Sequence, residues 1–61
     1  MANHLEIQKE QRRTLFSLLK LKKENPTLDI KGLDNLIISV EVEMQQEDVA
    51  LVREKISQLQ N

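Results

Sequence analysis

The chain has 61 residues, one glycine, one proline and no cysteine; charged side chains make up 31% and the formal net charge is −1. At this size a single core is marginal, and without thiols neither a disulfide nor a thiolate metal site can staple it. A charge near zero gives no bulk attraction to nucleic acid or to anionic membranes, so any such binding has to come from a local patch.

Met1 to Glu10 contains no apolar run and carries Glu6 and Glu10, unlike a secretory leader. Nowhere does the chain approach the roughly 20 apolar residues of a membrane span. The expectation is one small domain over residues 1–61, cytoplasmic, with no membrane partner and no cofactor. A core this small also leads us to expect a homo-oligomer, since self-association is the remaining common stabilising device.

From His4 to Glu24 the chain is rich in Leu, Glu, Gln, Lys and Arg, all good helix formers, and has no Gly or Pro. Asn3 followed by Glu6 has the spacing of a capping box, and Lys20, Lys22 and Lys23 lie where the helix dipole favours cations. Pro26 disfavours helical geometry at Asn25, which predicts a stop near Glu24. At about 100° per residue, Leu15, Leu18, Leu19 and Ile7 share an arc that Phe16 and Leu5 extend, and this arc is the expected buried face. Gln8, Gln11 and Arg12 dilute its first half, so tight packing is expected from Leu15 to Leu21 and the amino-terminal turns are expected to be more exposed.

Residues 25–32 read as a joint. Asn25-Pro26-Thr27 and Asp29 are turn chemistry, Leu28 and Ile30 are expected to tuck under the helix ends, and Gly32 is the one conformationally permissive point. A second helix is expected from about Leu33, with Asp29 and Asp34 as competing start signals.

Leu33, Leu36, Ile37, Val40 and Met44 share one helical stripe, whereas Val49, Val52, Ile56 and Leu59 share another, rotated by more than a third of a turn. Supercoiling shifts a stripe by only about 20° per heptad, too little to explain the offset. The favoured reading is an all-α chain whose second helix breaks near residues 44–47 to give a third short helix. The resulting hairpin or bundle would be completed by homo-oligomerisation. A continuous helix touching two partner surfaces is one alternative. A second is a strand over Asn35 to Met44, where Leu36, Ile38, Val40, Val42 and Met44 alternate and three of these are β-branched.

Lys9, Arg12, Arg13, Lys20 and Lys23 lie on one side of the first helix with Phe16 among them, a face suited to a nucleic-acid backbone or an acidic protein groove. Competing with this is a packing role: residues 1–24 hold six basic and three acidic side chains, and residues 25–61 three basic and seven acidic, so the halves complement one another. Glu41, Glu43, Glu47 and Asp48 form the main acidic cluster but lack the Glu-x-x-His pattern or dedicated loop of a metal site. His4 reads as a surface residue, and no nucleophile, base and orienting group are assembled, so an enzyme is not expected.

Gly32-Leu33-Asp34-Asn35-Leu36-Ile37, after a basic helix and a turn, resembles the second helix of the small sporulation-type aspartyl-phosphate phosphatases, two-helix hairpins with a Ser-Gln-x-Leu-Asp signature. Lys31 and Gly32 do not supply the Ser-Gln part of that signature, the segment from Gln45 onward has no counterpart, and we do not assign the chain to the family. The resemblance implies a helical phosphatase with Asp34 as its acting residue. The leading expectation is instead a non-enzymatic, dimerising module that binds another protein through a helical surface. The alternative is a small nucleic-acid-binding regulator using the basic helical face.

Overall fold

The computed structural model describes residues 3–27 and 30–59, and the described residues form three helices and no strand: α1 (His4–Glu24), α2 (Leu33–Glu43) and α3 (Gln46–Ser57). No helix among them is long and apolar enough to cross a membrane.

The start of α1 follows from its cap. Asn3 is extended at φ −86° and ψ 166°, and its Oδ1 accepts from the Glu6 N–H at 2.9 Å, one half of the capping box. At the other end Asn25 leaves helical geometry, and both its backbone N–H and its side-chain amide donate to the Leu21 carbonyl, at 3.1 and 3.0 Å. Two carbonyl lone pairs that would otherwise face solvent are thereby satisfied just before Pro26.

Gly32 supplies the turn into α2. Its φ of 86° is the one left-handed backbone conformation among the described residues, and its carbonyl accepts from Leu36 at 2.9 Å to open the helix. Of the two start signals, Asp34 falls in the first turn of α2, and Asp29 lies outside the described residues.

The break between α2 and α3 needs neither glycine nor proline. Met44 and Gln45 are both extended, at ψ 159° and 142°, and Gln45 caps α3 through its carbonyl, which accepts from Asp48 and Val49, with no bond from its side chain. Glu47 and Asp48 occupy the first turn of α3, where the dipole favours acids. The continuous helix and the strand are therefore both replaced by a helix–bend–helix.

This bend disposes of the offset between the two apolar stripes. Leu33, Ile37 and Met44 from the first and Val52 from the second are buried against Leu15 and Leu19, with Phe16, Leu18, Val40, Val49 and Ile56 partly buried around them. Two stripes that would need two partner surfaces on a straight helix meet on one core once the chain turns. Leu59 is half-buried, whereas Leu36 stays 51% exposed on the flank of α2.

The expected buried arc of α1 needs correction at Leu21, which is exposed, as is Ile30, while Leu28 lies outside the described residues. Leu5 and Ile7, at 74% and 45% exposed, lie open, in keeping with the more exposed amino-terminal turns that the sequence led us to expect. The reason is length: α1 has 21 residues against 11 and 12 for its neighbours, about 31 Å against 16 and 18 Å. Lys22 pairs with Asp34 near one end of α2, and Gln11 donates to the Glu43 carbonyl at the other, so α2 runs antiparallel to α1 and covers it only from about Gln11 onward. The first two turns of α1 extend beyond the core.

Candidate functional site

Furrows run between each pair of helices among the described residues, and their charges differ. The first lies between α1 and α3, has a volume of about 470 Å³, and is floored by Phe16, Leu51 and Val52. Its walls are Lys9, Arg12 and Arg13 from α1 and Lys55 from α3, and no acidic side chain lines it. Spacings of three and four bring the α1 cations onto successive turns beside Phe16, and Lys55 stands one turn after Leu51.

Arg12 is only partly available to a ligand. Its Nη1 donates to Oδ1 of Asp48 at 3.2 Å, with the carboxylate side chain just 15% exposed, so this cation also ties α1 to the first turn of α3. Lys9, Arg13 and Lys55 have no ion-pair partner among the described residues. The remaining members of the basic face, Lys20 and Lys23, do not line the groove; Lys20 is exposed and Lys23 half-buried.

Lys55 is the contribution the sequence reading missed. The second half of the chain is acidic overall, which hides a lone lysine, but its position four residues after Leu51 and three after Val52 is the signal that joins it to an apolar stripe.

Between α1 and α2 lies a second furrow of about 460 Å³ with the opposite character. Ile7, Thr14 and Val40 line it with Glu6, Glu10 and Glu43, while Gln11 Nε2 donates to the Glu43 carbonyl at 3.4 Å. The third, between α2 and α3, joins Ile38, Val42 and Val49 with the ion pair of Glu41 and Arg53. There Arg53 donates from Nε at 2.7 Å and from Nη2 at 2.5 Å to the same carboxylate oxygen.

The acidic cluster is thus divided among different tasks. Glu41 holds Arg53, Asp48 holds Arg12, Glu43 rims the α1–α2 furrow and Glu47 is exposed. Among the described residues no three His, Cys, Asp or Glu side chains come together as metal ligands. Ser39 and Ser57 donate their hydroxyls to the carbonyls of Asn35 and Glu54, at 2.9 and 2.7 Å. His4 is exposed, and Asp34, also exposed, is paired with Lys22.

No family model, no curated protein and no solved structure matches this chain. The geometry alone therefore carries the functional reading: open furrows of opposite charge over apolar floors, suited to gripping another surface.

Proposed function

We propose that the protein is a small non-catalytic helical interaction module that forms a homodimer and presents a helical surface to another protein. One observation carries this reading. Among the described residues six large apolar side chains are buried in the core, while eight remain exposed, including Leu36, Ile38 and Val42 on α2 and Leu5 and Ile7 on α1. Isolated exposed apolar residues are ordinary, but Ile38 and Val42 stand one turn apart and share a furrow with Val49. An apolar strip on a helix flank is the surface that a partner helix reads in groove recognition.

Sedimentation equilibrium across nanomolar to hundred-micromolar concentrations tests the dimer, which we expect to assemble in the micromolar range. A folded monomer throughout would refute it. Affinity capture from cytosol with the native chain and with Ile38→Glu/Val42→Glu tests the second part: a bound protein is expected with the native chain and lost with the variant. A captured protein insensitive to the substitutions would move the binding surface elsewhere.

The cationic α1–α3 groove favours a second reading, a regulator that grips a nucleic-acid backbone through Lys9, Arg13 and Lys55. Retention of duplex or single-stranded probes at low salt supports it, and absence of any shift there removes it.

A further inference from the structure

The α1–α3 groove separates its charges from its apolar surface. Lys9, Arg13 and Lys55 are exposed and make no ion pair among the described residues, whereas Phe16 is half-buried and Val52 only 2% exposed beneath them. Leu51 belongs to the same floor yet stays 43% exposed, so part of that floor is apolar surface left in water.

The shape follows from how the walls run. Arg12 meets Asp48 in the first turn of α3, and one turn further along both helices Phe16 shares the floor with Leu51 and Val52, so α3 runs parallel to α1 here. From Lys9 to Ser17 the α1 wall is about 12 Å long, a little over two helical turns. Parallel helical walls over an apolar floor form a trough into which another helix lays its side-chain ridge. Lys9 and Arg13, four residues apart, stand on successive turns of one wall, and Lys55 stands on the other.

We infer that this groove takes an acidic amphipathic helix of another protein. Its apolar side chains, spaced by three and four, cover Phe16, Leu51 and Val52, and carboxylates on its two flanks face Lys9, Arg13 and Lys55. The inference rests on the reading of this chain as a module that binds another protein, and it adds a docking face besides Ile38 and Val42 together with the partner's chemistry. Burial of the floor supplies affinity, while the charges steer the partner and fix its direction.

Nucleic acid suits the groove less well. Phe16 is the sole aromatic residue of the chain and is half-buried, so bases have no platform on which to stack. Glu6 and Glu10 share a depression with Lys9 and Arg13, and a polyanion longer than the groove runs onto those carboxylates.

Selection from random displayed peptides of about 16 residues, long enough for roughly four helical turns, tests the inference with the whole chain as bait. Enriched peptides are expected to be acidic, with apolar residues at i, i+3, i+4 and i+7, and to gain helix content on binding. Lys9→Glu/Arg13→Glu/Lys55→Glu should weaken the strongest peptide about tenfold or more, and Leu51→Gln, which changes no charge, about fivefold. Lys9→Gln/Arg13→Gln/Lys55→Gln serves as a milder version, and circular dichroism verifies the fold of each variant. Lys20→Glu/Lys31→Glu, a reversal outside the groove, should leave binding unchanged. Basic enriched peptides, or binding that survives the groove substitutions, would overturn this docking site. If Ile38→Glu/Val42→Glu then removes that binding, the protein-binding reading stands on α2 alone. Failure to enrich any peptide would overturn both. In that event nucleic-acid retention lost with the groove variants assigns the groove to nucleic acid, and self-association lost with them assigns it to a second copy.

Discussion

Arg12 of α1 and Asp48 of α3 stand 3.2 Å apart across 36 residues of sequence, at the point where the carboxyl end of α2 also reaches α1 through Gln11. The pair fixes where α3 begins relative to α1. Asp48 gains from both neighbours: the guanidinium in front and the free N–H groups of its own helix terminus behind. Replacing Asp48 by Ala should lower stability by about 1–2 kcal/mol, since a partly buried charge-assisted bond and a favourable dipole contact are lost together. Urea unfolding of the variant measures it, and an unchanged midpoint would show that the pair contributes nothing to the docking of α3.

Gln46 is the first residue of α3, and Gln45 before it has φ −70° and ψ 142°, a conformation that a following proline prefers. Gln46→Pro is therefore expected to change stability by less than about 1 kcal/mol, because the first N–H of a helix has no partner within it. Ala50→Pro, one turn further along, should cost about 3 kcal/mol or more. Substituting Asp or Ser for Gln45, whose side chain makes no capping bond, should add about 0.5–1 kcal/mol. Thermal melts of the three variants check the order, and a collapse of Gln46→Pro would contradict the bend.

Two valines separate core from surface. Val52 is 2% exposed and Val42 78%. Val52→Ala should cost on the order of 1–3 kcal/mol through lost burial and an unfilled cavity, a large share of the stability of so small a domain. Val42→Ala should shift monomer stability by no more than about 0.5 kcal/mol. Chemical denaturation of the two variants beside the native chain distinguishes them.

Local signals marked the helix ends well. Asn3 with Glu6 and Asn25 with Pro26 are each sufficient in themselves, because a cap or a turn is built from residues adjacent in sequence, whereas Gly32 left the start of α2 open between Asp29 and Asp34. The break at Gln45 carried no breaker residue and was legible only as a mismatch between two stripes, whose resolution needed a bend. The dilution of the first half of α1 pointed to exposure near Ile7, whereas exposure at Leu21 and Leu36 was not legible. Helical periodicity reports which side of a helix a residue occupies, and how far a neighbour extends along that side depends on lengths and crossing angles set elsewhere. The same applies to the basic face: its sequence pattern included Lys20 and Lys23, but the path of α3 selects Lys9, Arg12, Arg13 and Phe16 and adds Lys55.

The disparity in helix length gives the two ends of α1 different physical status. From Gln11 onward the helix is held by side chains packed from α2 and α3, whereas Asn3 to Glu10 depends chiefly on its own hydrogen-bond ladder and the Asn3 cap. A short helical run supported in this way is close to balance between ordered and frayed states. Any molecule that settles on it must first win back that entropy, and its amide protons would then slow their exchange with solvent, so the segment reports its own occupancy without a label.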